Sequence, residues 1–90
     1  MLYMVVERFK NREAIPVYRR FREKGRMTPV GLNYVQSWVA ISFDRCFQLM
    51  ECEDVRLLEE WAAHWKDLIE FDFVPVRGSK EATEFLGPQL

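Results

Sequence analysis

The sequence is poor in the residues that build metal sites and disulfide frameworks, with one histidine and two cysteines among 90 residues. Zinc sites need such residues in clusters at short, regular spacings, and His64, Cys46 and Cys52 form no such pattern. The two cysteines lie in one extended stretch that places them about 20 Å apart, which is beyond disulfide reach. We therefore expect no metal site and two reduced thiols, as is usual in the cytoplasm.

Long apolar runs are also missing. The opening stretch, Leu2 to Phe9, is apolar but far shorter than the roughly 20 residues that a membrane helix needs, and it carries neither a basic leader nor a cleavage site. Glycine is scarce, at four residues, and no repeat or low-complexity segment occurs. We expect a cytoplasmic protein without membrane contact, formed by a single domain over residues 1–90. A chain of this size buries only about 60% of its unfolded surface, so assembly with another subunit is expected.

Neither sign of charge dominates, because 13 Lys and Arg stand against 14 Asp and Glu. The charges are nevertheless segregated into a basic stretch, Tyr18 to Arg26, and an acidic stretch, Glu51 to Trp61. Complementary faces of two subunits, solvated helix surfaces or attraction of an anionic ligand would each explain this pattern. The balance does not favour nucleic acid as a partner.

Hydrophobic periodicity predicts four strands and three helices. Alternating or continuous β-branched and aromatic residues indicate the strands, and apolar residues at three- and four-residue spacing indicate the helices. Pro16, Gly25 and Asp54 supply a helix start, a helix stop and a helix cap. The predicted elements are a strand over Leu2–Phe9, a helix from Pro16 to Gly25, strands over 32–40 and 45–52, a helix from Asp54 through Leu68, a strand over 71–76 and a helix over 80–86.

This βαββαβ order, followed by a short C-terminal helix, is typical of the α+β ferredoxin-like fold. In that fold two helices cover one face of a four-stranded antiparallel sheet. The second and third predicted strands are separated only by Ser42 to Asp44 and should form a hairpin.

Both faces of this hairpin carry bulky apolar groups. If Ala40 lies opposite Arg45, then Trp38 lies opposite Phe47 and Tyr34 opposite Glu51, although a slip of one residue would exchange the two faces. The outward face would then expose a large apolar patch to solvent. We expect the sheet of a second copy of the chain to bury this patch. The predicted homodimer interface comprises Tyr34, Trp38, Arg45, Phe47, Leu49 and Glu51.

The segments LYMVVERF, PVYRRFREKGR, GLNYVQSWV, RCFQLMECED and VPVRGSKEA resemble a small bacterial family, domain-of-unknown-function family 3303. The resemblance covers nearly the whole chain, and its most specific pieces are PVYRRFR, YVQSW and RCFQLME. It implies a ferredoxin-like domain of the dimeric α+β barrel type. It brings no established reaction, and proteins of similar architecture include monooxygenases, haem-degrading enzymes and lactone isomerases.

The space between sheet and helices is the predicted ligand pocket. Aromatic side chains would supply burial there, and a few hydroxyl and amide groups would orient a small apolar or aromatic molecule. The alternative is a filled core in which Ser37 and Gln48 bond each other. The pocket candidates are Tyr18, Ser37, Gln48, Trp61, His64 and Trp65.

Three side chains have two interpretations each. His64 is either a general base or haem ligand, or a packed residue beside an apolar stripe. Cys46 lacks an adjacent base and is expected to pack as an inert thiol rather than act as a nucleophile. Arg45 either pairs, like Glu51, with an oppositely charged side chain of a partner subunit or, as the second interpretation, binds a substrate carboxylate at the barrel mouth.

The predicted function is small-molecule binding by a homodimer, with a cofactor-independent monooxygenase or isomerase as the alternative. An RNA-binding module shares the element order, but the third strand lacks the glycine and basic-aromatic pattern of that class. No residue identifies a cofactor.

Overall fold

The structure, a computed structural model, describes all of residues 1–90. The chain forms four strands and three α-helices, which confirms the predicted order. Single turns of 3-10 helix span Lys10–Arg12 and Gly87–Gln89. The elements are β1 (Leu2–Phe9), α1 (Ala14–Lys24), β2 (Asn33–Val39), β3 (Arg45–Glu51), α2 (Arg56–Ala62), β4 (Ile69–Val76) and α3 (Ser79–Leu86).

The four strands form one antiparallel sheet in the order β2-β3-β1-β4, which is the ferredoxin-like arrangement predicted from the sequence. β1 lies between β3 and β4, and it carries apolar residues on both of its faces. β4 lies at an edge, where Pro75 is tolerated because one side of the strand is unpaired.

The β2–β3 hairpin follows the predicted register near its turn and departs from it further away. Trp38 lies opposite Phe47, and Ser37 opposite Gln48, as predicted. A β-bulge between Tyr34 and Gln36 then shifts the pairing by one residue. Since each added residue reverses which face the following side chains occupy, the bulge decides on which side of the sheet β2 begins.

The predicted position of Tyr34 on the outward face is therefore wrong. Tyr34 lies opposite Met50 rather than Glu51, which places it on the face covered by the helices. Its hydroxyl bonds Ser37 Oγ at 2.7 Å, and the Arg26 guanidinium lies 3.8 Å from the centre of its ring. The bulge, which the sequence pattern does not mark, is the physical reason for the difference.

Each helix that covers the sheet has one end at a residue suited to that position. α1 ends at Gly25, whose φ of 70° is a conformation that favours glycine. The Arg56 amide at the start of α2 donates to Asp54 Oδ1 at 3.0 Å, as expected of a helix cap. α2 ends at Ala62, earlier than predicted, and the chain continues through turns to β4.

The helix-covered face holds the core. β1 contributes Tyr3, Val5 and Phe9, which pack with residues from the other strands and from both helices. The remaining buried members of this cluster are Val17, Leu32, Met50, Cys52, Leu58, Trp61, Trp65 and Ile69.

The opposite face of the sheet, here called the open face, has no helix over it and carries apolar side chains at its centre together with polar and charged ones such as Arg8 and Asp72. Trp38 at its edge is 49% exposed, and Val74 is 46% exposed. Its central apolar side chains are only partly buried. The apolar residues of the open face are Leu2, Met4, Val6, Trp38, Phe47, Leu49, Val74 and Val76.

Candidate functional site

A cavity of about 130 Å³ lies between the sheet and the helices. Half of its lining residues are apolar or aromatic, and the other half carry polar groups. The first set comprises Phe9, Val17, Phe21, Trp61, Trp65 and Ile69. The second comprises Glu7, Tyr18, Arg26, Ser37, Cys46 and Gln48. Five of the six predicted pocket residues therefore line one cavity.

His64 is the exception, because it lies outside this cavity and is exposed to solvent. α2 ends two residues earlier, and the following turn buries Trp65 while leaving the His64 side chain outside. The His64 carbonyl accepts a hydrogen bond from Arg20 at 3.0 Å, so its contribution is made by the backbone. The placement of His64 in the pocket was wrong for this reason.

Glu7 is the central polar group of the cavity. Its side chain projects from β1 on the same face as Tyr3, Val5 and Phe9, and the residue is only 3% exposed. Gln48 Nε2 donates a hydrogen bond to Glu7 Oε2. Burial raises the pKa of Glu7 to about 7, although the Gln48 hydrogen bond and the charge of Arg26 lower it.

The other carboxyl oxygen, Glu7 Oε1, accepts no hydrogen bond from the protein. Every fully buried side-chain oxygen of the structure has a hydrogen-bond partner. Because Oε1 has none, it is not fully buried, and the space open to it is the cavity that Glu7 lines. The cavity thus contains one carboxyl oxygen that is free to meet a ligand.

Arg26 determines how the Gln48 amide is oriented. Arg26 Nε donates to Gln48 Oε1 at 2.9 Å. Because a guanidinium can only donate, the amide oxygen must face Arg26 and the amide nitrogen must face Glu7. Gln48 therefore bridges Arg26 and the carboxyl group.

Aromatic residues hold Arg26 in place. Its backbone carbonyl accepts hydrogen bonds from Trp61 Nε1 at 2.9 Å and Trp65 Nε1 at 3.2 Å. Its guanidinium lies over the Tyr34 ring and 5.1 Å from the centre of the Phe21 ring. These contacts anchor both the backbone and the side chain of a loop residue at the cavity wall.

The remaining polar residues of the lining are weak candidates for ionic chemistry. Burial, with a further contribution from Glu7, raises the pKa of the Cys46 thiol to about 12, so this thiol stays protonated. Burial also raises the pKa of Tyr18. Ser37 bonds Tyr34, and no bond joins it to Gln48, so the predicted Ser37–Gln48 pair does not form.

Glu7 and Arg26 were not among the residues selected from the sequence. Glu7 lies on the same face of β1 as Tyr3, Val5 and Phe9. A charged residue among these apolar ones was the sequence feature that could have identified it. The opposite phase of β1 is equally apolar, so the pattern could not show which side faced the helices. Arg26 is one of several basic residues near the end of α1, and nothing in its sequence context separates it from them.

None of the predicted interface residues lines the cavity, although Tyr34 contacts the lining residues Arg26 and Ser37. Trp38, Phe47 and Leu49 belong to the open face. Arg45 lies 5.7 Å from the Phe47 ring centre, and Glu51 accepts a hydrogen bond from Asn33 at 3.3 Å.

The whole chain, and not only the cavity, contains no metal-binding cluster and no membrane-spanning helix. No group of three or more His, Cys, Asp or Glu side chains is arranged to hold a metal ion. None of the helices has the length and apolar character needed to cross a membrane.

These elements define a ferredoxin-like α+β domain with a small cavity between its sheet and its helices. The model of the family described as a domain of unknown function (DUF3303) matches residues 1–90, and the chain belongs to this family. The match confirms the resemblance of its strand and helix segments to that family. No curated protein and no solved structure matches the chain.

Proposed function

We propose that this protein binds one small, mainly apolar or aromatic molecule in the cavity between sheet and helices. The observation that supports this function best is the free Glu7 Oε1, which opens into a space otherwise lined by rings and aliphatic groups. Burying a carboxyl group with a single hydrogen bond is unfavourable for stability. Such a group in a concave site is more readily explained by a ligand than by folding.

The size of the cavity limits the ligand. An apolar cavity of roughly 150 Å³ accommodates benzene. The cavity here, at about 130 Å³, suits a molecule of about one ring. Trp61 and Trp65 would contact the ring, and Glu7 would meet a polar substituent.

Mass spectrometry of the purified protein under native conditions, together with ¹H–¹⁵N NMR titration with phenol, tests this proposal. We expect phenol to shift the amide signals of residues that line the cavity. Val17→Phe should abolish those shifts, because Val17 is a buried lining residue and the larger ring fills the space. Val30→Phe is the matched control, since Val30 is 99% exposed. Absence of both a co-purified ligand and any phenol-induced shift would contradict the proposal.

We also propose that the protein is a homodimer formed through the open face. Four strands of about eight residues give a face of roughly 20 by 25 Å, or about 500 Å² per subunit. Pairing two such faces would bury about 1,000 Å², which is near the lower limit for a specific interface. A partly apolar face of this size lies within the range of the largest patch on a monomer, and such patches often mark interaction sites. A cytoplasmic location is part of the same proposal, since both cysteines are free thiols.

An enzyme is the second candidate, either a cofactor-independent isomerase or a monooxygenase. Its specific support is a cavity carboxyl whose pKa burial raises to about 7, a value suited to accepting and returning a proton. Deuterium incorporation at the α-carbon of cyclopentanone in D₂O tests for a cavity base without knowledge of the substrate. Catalysed exchange that Glu7→Gln abolishes while cyclopentanone still binds would support an isomerase. Equal exchange by both proteins would count against it.

A further inference from the structure

We propose that the ligand of this cavity is a small carboxylate, that the terminal nitrogens of Arg26 bind its carboxylate group, and that Glu7 is protonated in the complex. This inference rests on the proposed binding function and adds the chemical class of the ligand. Its basis is the arrangement of Arg26, Gln48 and Glu7 on one wall of the cavity.

The Arg26 guanidinium has hydrogen-bond donors to spare. Its Nε donates to Gln48, whereas Nη1 and Nη2 donate to no group of the protein. Arg26 also forms no ion pair with any carboxylate of the chain. Its four terminal N–H bonds are therefore free, and a guanidinium edge matches the two oxygens of a carboxylate.

The surroundings of Arg26 favour a carboxylate that is attached to an apolar body. Stacking on Tyr34 occupies a face of the guanidinium and leaves its N–H edge free. The Trp61 and Trp65 indoles, which donate to the Arg26 carbonyl, also line the cavity. A ligand held at the Arg26 edge would therefore place its apolar part against these two rings.

Charge within the cavity determines the protonation state of the complex. With Glu7 ionised, its charge offsets that of Arg26, and a bound carboxylate would face a second carboxylate. With Glu7 protonated, the wall carries one positive charge, and the Glu7 hydroxyl can donate a hydrogen bond. Since Gln48 Nε2 already donates to Oε2, the open Oε1 is the oxygen that would carry the proton.

No other group that faces the cavity competes for this proton near neutral pH. Tyr18 on α1 and Cys46 on β3 both have raised pKa values and stay neutral. The other elements contribute no acid or base to the lining, since they supply Phe9, Ser37, Trp61, Trp65 and Ile69. Ligand affinity should therefore be constant between about pH 5, where the ligand is still ionised, and about pH 7, and should fall about tenfold for each pH unit above that, until the ligand binds to the ionised form of Glu7.

Isothermal titration calorimetry with benzoate and its neutral isostere benzamide tests the inference. We expect benzoate to bind at least tenfold more tightly than benzamide at pH 6. Titrations at pH 7.5 in phosphate and in Tris, which differ in ionisation enthalpy, should show proton uptake on binding of benzoate. Glu7→Gln should bind benzoate with the same affinity at pH 6 and pH 8, because its amide is always neutral.

Arg26→Gln should remove the preference for benzoate, and Arg26→Lys should retain part of it. Arg22→Gln is the matched control, because Arg22 is an exposed residue of α1 that lies outside the cavity lining. If Arg26→Gln does not fold, Arg26→Lys is compared with Arg22→Gln instead. We then expect the preference for benzoate over benzamide to be weaker in Arg26→Lys.

The outcomes separate this inference from the proposed function. Binding of benzamide as tight as that of benzoate would overturn the carboxylate assignment and leave small-molecule binding in place. A preference for benzoate that survives in Arg26→Gln would overturn the role of Arg26. Benzoate binding without proton uptake would overturn the role of Glu7. Binding of neither probe, with no effect of phenol, would count against both proposals.

Discussion

Gln48 Nε2 donates a hydrogen bond to Glu7 Oε2 across the pairing of β3 with β1, while Gln48 Oε1 accepts one from Arg26 Nε at 2.9 Å. One amide therefore joins the only buried carboxyl group of the chain to a positive charge. No direct ion pair joins the two groups, so burial raises the pKa of Glu7 to about 7 and the terminal donors of Arg26 stay free. Stability, proton binding and ligand affinity should therefore all respond to changes at these three residues.

Replacing Glu7 by Gln should remove a pH dependence of stability. Below pH 4.5 the carboxyl is protonated in both states, since its ordinary pKa is 4.5 and burial raises the folded value to about 7. Between these values the unfolded chain releases the proton first, so the free energy of unfolding falls as pH rises. The loss amounts to about 3 kcal/mol at most for a shift of this size. Above about pH 7 no further loss is expected from this group.

Urea unfolding at pH 5 and pH 8 measures this effect. The wild-type protein should lose stability between the two values, whereas Glu7→Gln should lose much less and be the more stable protein at pH 8. Glu53→Gln is the control, because Glu53 is exposed and should leave the wild-type difference intact. An equal loss in wild type and Glu7→Gln would show that another group is responsible.

Replacing Gln48 by Leu should raise the pKa of Glu7 above about 7. The Gln48 hydrogen bond is the larger of the two interactions that lower the pKa of Glu7, and a leucine side chain cannot form it. The variant should also lose about 1–3 kcal/mol of stability, because Glu7 and Arg26 both lose a partner. ¹³C NMR of the Glu7 carboxyl carbon gives the pKa directly. Ser37→Ala should leave it near the wild-type value, since the Ser37 hydroxyl bonds Tyr34; a lower pKa in Gln48→Leu would contradict the assignment.

A charge on the open face should dissociate the proposed dimer. Light scattering coupled to gel filtration should give the wild type about twice the 10.8 kDa mass of the chain. Phe47→Glu or Trp38→Glu should give the monomer mass or an unfolded protein, because a charge cannot be buried between two sheets without a partner. Ile41→Glu is the control, since Ile41 is 97% exposed in the hairpin turn. A wild-type monomer at high concentration would exclude this assembly.

Replacing Gly31 by Ala should destabilise the fold, whereas Gly78→Ala should not. Gly31 has a φ of +96°, and a Cβ atom at this position would lie 3.0 Å from Leu57 Cδ1. The strained backbone and the close contact together should cost about 1–3 kcal/mol. Gly78 has a φ of −66°, and a Cβ atom added there would meet open space within 4 Å. Equal unfolding midpoints for the two variants in urea would contradict this account of Gly31.

Local features of the sequence were sufficient to predict most of the secondary structure and its order. The start of β1, the stop of α1 at Gly25 and the cap at Asp54 depend on neighbouring residues only, and each is where the pattern predicts it. The length of α2 was overestimated because Trp65 and Leu68 continue its apolar spacing. Tertiary packing turns the chain after Ala62 and still buries Trp65.

The sequence by itself determined the element order, and with it the ferredoxin-like sheet and five of the twelve residues that line the cavity, since strand and helix periodicity are local properties of the chain. Only the tertiary structure decided which face of β1 meets the helices, and therefore that Glu7 is buried while Arg8 is exposed. It also decided the bulge that turns Tyr34 inward beneath Arg26. Both outcomes depend on contacts between residues distant in the chain, which a strand that is apolar on both faces does not specify.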